Sequence, residues 1–334
     1  MRDDDRSGPA DLPSYDDLPV TDGAPPGSSW GVWGDGDVLG CLNLLTPERV
    51  VRAASLIRTG RVFALNLDAT LPSPPLFGRP AFRHEVTGRP GGFSHDDLLH
   101  GWNTQSSSQW DGFRHVGNPV HGHYGGVADE DHGIHHWVDR IVGRAVLVDL
   151  DRWRAAQSRP IDHGAADPIT PEDVHGCIAE QGTAVETGDV LLLRTGWLTW
   201  YRTLDEDGRR AVADPATFAA PGLVPGERTA RLLWDLHVAA VAADNPALEL
   251  WPPGSLDGDT DWRAAAEADP SRWPEVFVHT ALLPLLGIPI GELWDLDALA
   301  EDCAATGTYD SFFTSAPLHI PHGVATPPNA LAIR

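Results

Sequence analysis

The chain has 334 residues, of which 42% are hydrophobic and 22% charged, enough for one large domain or two small ones with a substantial core. Its formal charge of −24 makes a surface that repels phosphate backbones and anionic lipid, which argues against nucleic-acid and membrane partners. Three scattered cysteines, Cys41, Cys177 and Cys303, suggest neither a disulfide framework nor a thiolate zinc knot. The opening MRDDDRSGPADLP has no apolar stretch of the kind a signal peptide needs, and no run of about 18 apolar residues occurs, so a cytoplasmic address is expected.

Residues 1–28 are acidic and rich in Pro, Gly and Ser, and read as a flexible or wrapping arm; residues 29–334 read as one domain. In LTPERVVRAASLIRTGR (45–61), Thr46 is the expected helix cap, Pro47 and Glu48 suit the first turn, and Gly60 marks the end. Val50, Val51, Ala54, Leu56 and Ile57 give that helix an expected apolar stripe, and VFALNLDA (62–69) alternates as a strand. From 70 to 135 the sequence is irregular and rich in Pro, Gly and His, a length that in compact domains usually serves function.

GRAVLVDL (143–150) and GDVLLLRTGW (188–197) read as strands, with the helix ITPEDVHGCIAEQG (169–182) between them. PGERTARLLWDLHV (225–238) is an expected helix leading into the strand and turn AAVAADNPALE (239–249). FVHTALLPLLGIPIGELWDLDALA (277–300) combines helix, short strand and helix, and SFFTSAPL (311–318) suits a final strand. Strands and helices alternate without a glycine-rich dinucleotide fingerprint, a phosphate loop or a repeat.

NTQSSSQWDGFRHVG (103–117) is the stretch with the most chemistry, setting Gln105, Gln109, Asp111 and His115 at intervals of four, two and four. Together with ITPEDV, GDVLLLRTGW, AVAADNP and FVHTALLPLLGIPIGEL in this order, it resembles the cyclase family of metal-dependent hydrolases, which includes bacterial kynurenine formamidase, isatin hydrolase and polyketide cyclases. The likeness runs from about Trp30 to the C-terminus, and WGDGDVLGCLNLLTPERV and FFTSAPL…PPNALAIR look like that family's longer branch. It implies an α/β fold, a single swivelling β/β/α domain with a mixed, barrel-like sheet and flanking helices, assembled as a homodimer or homotetramer.

The resemblance also implies the site. The family's metal motif has histidines at the positions of Gln105 and Gln109, its aspartate at Asp111 and its acid/base histidine at His115; its later metal-binding histidine and glutamate fall on His279 and Glu292. Two expected imidazoles are therefore amides here. A glutamine offers a neutral oxygen, a weaker and harder donor than histidine nitrogen, which suits Mn²⁺, Mg²⁺ or Ca²⁺ better than Zn²⁺. The expectation is one divalent ion, Mn²⁺ or Zn²⁺, held by Asp111, His279, Glu292 and Gln109, with His115 and Asp111 as the catalytic pair.

On that reading the chain hydrolyses an amide or ester of a small cyclic or aromatic carbonyl compound with metal-activated water. The alternative is a polyketide-type cyclase or lyase that uses His115 and Asp111 as acid and base without a metal; a third is a non-catalytic binding protein on the same fold. Gln105, Arg114, Trp110, Phe113, His121 and His123 are the candidate substrate contacts, the aromatics as walls for a planar ring and the two histidines on a glycine-flanked loop. Core packing explains Trp110 and Phe113 nearly as well, an acidic side chain could pair Arg114, and His279 on an apolar stretch could be a satisfied core histidine. His135 and His136 read as structural or as supports behind the site, pointing to opposite faces of a strand-forming region.

Overall fold

The structure, a computed structural model, describes residues 12–88, 91–257 and 262–334. In chain order its strands are β1 (Val62–Ala64), β2 (Arg83–Gly88), β3 (His95–His100), β4 (Gln109–Asp111), β5 (Val142–Asp149), β6 (Pro168–Ile169), β7 (Val190–Arg194), β8 (Gly222–Leu223), β9 (Ala240–Ala243), β10 (Ile290–Glu292), β11 (Asp310–Ser315), β12 (Ala325–Thr326) and β13 (Ala330–Ile333). Nine of them form one curled, half-barrel sheet in the order β1-β13-β11-β5-β7-β9-β10-β4-β12. Its centre, β5-β7-β9-β10, is parallel, and both flanks are antiparallel, so the sheet is mixed as expected.

The parallel strands are buried along their whole length at Val190–Arg194 and Ala240–Ala243, because helices cover them. Between β6 and β7 the helix Pro171–Gln181 begins with a reciprocal cap: Thr170 Oγ1 accepts from Asp173 N–H at 3.3 Å, and Asp173 accepts from Thr170 N–H at 3.2 Å. Gly182 at φ 68° closes it, a conformation an L side chain resists. Ahead of β9 the helix Glu227–Asp235 buries Ala230, Leu232, Leu233 and Trp234.

Several expectations need correction. The helix capped by Thr46 ends at Ala54 rather than at Gly60, and its supposed stripe is not the buried face: Ala53 is buried, whereas Val51 is 73% exposed. A hairpin, β2 paired with β3, interrupts the long irregular stretch, and most of its side chains are exposed. The last strand is β13, reached after β11. Of the two readings of the arm, flexible or wrapping, residues 12–28 take the wrapping one: Trp234 Nε1 donates to Pro13 O at 2.9 Å, and the Arg231 guanidinium lies 4.8 Å over the Tyr15 ring. The first eleven residues of the expected arm lie outside the described residues. His135 and His136 do not straddle a strand; they share a 3₁₀ turn, with their rings 4.0 Å apart.

The short strand β4 sets up the rest. It pairs with β10 so that Gln109 faces Glu292 and Asp111 faces Ile290. Side chains alternate along a strand, so Gln109 and Asp111 share one face with Glu292, and Trp110 takes the other. There Trp110 is fully buried, packs edge-on to Trp294 at 4.7 Å and donates to Ser315 Oγ at 2.9 Å.

Candidate functional site

The loop before β4 is stitched to two neighbours. Ser107 Oγ donates to Asp68 O at 3.0 Å, and Ser108 Oγ accepts from Leu67 N–H at 2.7 Å and donates to Leu293 O at 2.5 Å. These bonds fix the approach of Gln105 and Gln109. After β4 a tight turn, with His115 N–H bonded to Gly112 O at 2.8 Å, brings His115 back over Asp111. On the far side His279 opens a short helix that runs into a π-helical turn, Leu282–Leu286, a distortion common at functional sites.

These segments converge. Nε2 of His279 lies 3.2 Å from Glu292 Oε1 and 3.7 Å from Asp111 Oδ2, and the His115 and His279 rings are 6.1 Å apart. The Gln105 amide donates to Asp111 Oδ1 at 2.7 Å and lies 3.1 Å from Nδ1 of His115. The Gln109 amide donates to Glu292 and, at 3.3 Å, to Asp111 Oδ2. Asp111 is fully buried and His279 nearly so, whereas the His115 side chain is 25% exposed, which puts His115 on the open side of the cluster.

Charge shapes the cluster. Burial alone would raise the Asp111 pKa, but His115, His279 and Arg79 outweigh it and hold the carboxyl below its ordinary range. Burial and the neighbouring Asp111 carboxylate push Glu292 the other way, up to about 7. Burial opposes charge on His279, yet Glu249, Asp111 and Glu292 together lift its pKa well above the usual histidine value. Burial lowers the His115 pKa from its ordinary value, with the Asp111 carboxylate opposing and His279 and Arg79 adding to the shift, which favours the neutral imidazole that can accept a proton.

Of the described residues, Asp111, His115 and His279 form a group whose ligand atoms all lie within 4.8 Å of one another, so they could hold one metal ion. The donor set fits: one carboxylate and two imidazoles suit a divalent transition ion with positions left for water. His115 joins Asp111 and His279 in this group, and the other two expected ligands border it, Glu292 at 3.2 Å from His279 Nε2 and Gln109 through its amide to Asp111 and Glu292.

The remaining sequence candidates scatter. Trp110 and Phe113 are core residues, not pocket walls: Trp110 lies on the opposite face of β4, and Phe113 is 3% exposed among Tyr124 and Trp137. Arg114 donates to His322 O at 2.7 Å. His123 Nδ1 pairs with Asp129 at 2.5 Å, and His121 is exposed; among the described residues neither is hydrogen-bonded to Asp111, His115, His279 or Glu292. Their loop is nonetheless anchored beside the site, since Asn118 Nδ2 donates to Thr280 O at 3.3 Å.

Sequence reasoning missed two residues. Arg79 donates to Gln105 O at 2.5 Å and reaches Gln109 Oε1 at 3.4 Å, bringing a guanidinium to the rim of the cluster. Glu249 is buried with both oxygens 2.8 Å from Nδ1 of His279. Arg79 lies in an aperiodic loop that carries no signal. Glu249 had one, a carboxylate three residues after the DNP turn, whose composition reads only as a turn.

With this geometry in hand, comparison with known proteins is informative. The family model named Cyclase matches residues 56–250. A solved structure described as a novel cyclase is 32% identical, covers 92% of this chain and 99% of its own, and superposes with a TM-score of 0.75. Isatin hydrolase A from Labrenzia aggregata, solved with benzyl benzoate, is 17% identical over 85% of this chain and 97% of its own, with a TM-score of 0.53. An isatin hydrolase bound to the product analogue thioisatinate is 15% identical over 84% and 93%, with a TM-score of 0.55. At those identities the two isatin hydrolases share the fold alone. No curated protein matches the chain. The match over more than half of the chain and the near full-length likeness to a solved cyclase lead to one conclusion: the chain belongs to the cyclase family.

Proposed function

We propose that the chain is a hydrolase that opens an amide or ester bond of a small cyclic or aromatic carbonyl compound, with the Asp111, His115, His279 and Glu292 cluster as its centre. One observation carries the reading: a carboxylate and an imidazole from β4 and its turn meet an imidazole and a carboxylate that come some 170 residues later. Asp111 and His279 would hold one Mn²⁺ or Zn²⁺, with His115 within reach as a third ligand or as the base. Such an ion, when bound, polarises a carbonyl and lowers the pKa of coordinated water, toward roughly 7 for zinc.

The chain's own groups do the rest. His115, neutral and on the open side, takes the proton of the attacking water and returns it to the leaving nitrogen or oxygen as the carbonyl carbon–heteroatom bond breaks. The Arg79 guanidinium at the rim faces the negative charge that develops on the substrate oxygen. Gln105 ties Asp111 and the His115 ring together through a single amide nitrogen.

A second reading, an acid/base cyclase or lyase without an ion, is favoured by the amides. Gln105 and Gln109 already donate to Asp111 and Glu292, which gives both carboxylates partners without a metal. Chelation separates the two. Against a panel of aromatic lactams, lactones and N-acyl anilines, turnover that disappears with chelator and returns with Mn²⁺ or Zn²⁺ supports the hydrolase; turnover that survives chelation supports the second reading. His115→Ala is expected to lower kcat by about 10²–10⁴-fold under both, and an unchanged kcat overturns both. The working form is proposed to be a cytoplasmic homodimer or homotetramer, which light scattering on the purified chain checks; no described helix is long and apolar enough to cross a membrane.

A further inference from the structure

Glu249 is fully buried, yet the hydrolytic scheme gives it no step. Each of its oxygens lies 2.8 Å from Nδ1 of His279, and Oε1 also faces the His279 backbone N–H at 3.4 Å. The surrounding loop is clamped to deliver it. Asn245 Nδ2 donates to Pro221 O at 2.7 Å and to Leu248 O at 3.2 Å, and Leu248 takes φ 55°, a conformation that non-glycine residues adopt only under constraint. Gly222 passes so close that a Cβ there would lie 2.2 Å from the Glu249 carbonyl carbon, so only glycine fits. The His279 ring is held from another side by Phe277, stacked at 4.9 Å and 11°.

With Nδ1 engaged, the free nitrogen, Nε2, is the one that faces Glu292 and Asp111. We propose that Glu249 is a positioning residue: it takes the Nδ1–H of His279 and so presents Nε2 to the Asp111 side as a ligand for a divalent ion. The physical ground is that a ligating imidazole must have its other N–H fixed, and a carboxylate partner both orients the ring and raises its basicity. A packing contact would orient the ring without supplying that acceptor. This inference rests on the metal-dependent reading of the site.

The test uses the full chain with Glu249→Gln, a change that keeps side-chain size. Equilibrium dialysis with Mn²⁺ alone, without substrate, is expected to show about 10–100-fold weaker binding than the parent. In the metal-free, ¹⁵N-histidine-labelled parent, the His279 Nδ1 proton is expected far downfield and slow to exchange. In Glu249→Gln it should move upfield and exchange faster. Glu249→Asp, which keeps the carboxylate, should recover part of the downfield shift. An unchanged proton signal together with unchanged Mn²⁺ binding overturns the inference. If the parent itself binds no Mn²⁺, the metal reading falls, and with it the ligand half of this inference; the proton signal then decides separately whether Glu249 holds Nδ1.

Discussion

Asp111 is the residue on which the cluster turns: Gln105 and Gln109 donate to it, and His279 and His115 approach it at 3.7 and 3.9 Å. The two amides occupy the positions where imidazoles would bind an ion more strongly, so replacing one tests whether the place is still a metal position. Gln109→His is expected to tighten Zn²⁺ binding by about an order of magnitude or more, because an imidazole nitrogen is the better donor to that ion. Calorimetric titration of both proteins checks this, and equal affinities would mean that position 109 no longer faces an ion. At this scale the sequence was informative where spacing mattered. The intervals joining Gln105, Gln109, Asp111 and His115 do bring those four side chains together, because a two-residue step keeps Gln109 and Asp111 on one face of β4 and a tight turn returns His115. It was silent on Arg79, and for Glu249 it offered only a carboxylate after a turn, because the importance of both comes from long-range packing rather than local pattern.

Among the elements, long apolar runs were easy to read, and β5, β7 and β9 with the helices between them lie close to where patterning puts them. Three-residue strands were not legible, since periodicity cannot be recognised over so short a window. That is why Trp110 and Phe113 read as pocket walls: without β4, nothing showed that Trp110 faces Trp294 and the core. A one-residue slip of β4 against β10 would reverse that arrangement and put Trp110 in the site. Just before β7, Asp189 offers a test of the energetics at the entry to the sheet's central strand. Burial raises its pKa to about 7, despite the backbone N–H of Glu186 and the Arg144 guanidinium 3.3 Å away. A carboxyl whose folded pKa lies above its unfolded value contributes stability below the unfolded value and loses it as pH rises through the folded one. Asp189→Asn should therefore raise the melting temperature more at pH 8 than at pH 4.5. An equal change at both values would mean that Asp189 is ionised in the fold throughout.

For the whole molecule, composition and charge set a class, an acidic globular chain, and the order of its segments pointed to a family that the sheet topology and the comparisons bear out. What neither supplied is the pairing of distant halves, which exists only because the curled sheet carries β4 next to β10 and a buried turn sets His279 over both. The most direct test of that convergence is metal stoichiometry by elemental analysis of the dialysed parent, Asp111→Asn and His279→Ala, each after incubation with Mn²⁺ and each verified as folded by circular dichroism. The account predicts one ion per parent chain and loss of that ion in both variants. Retention of a full complement by either folded variant would contradict it, because the early and late segments would then not share a centre.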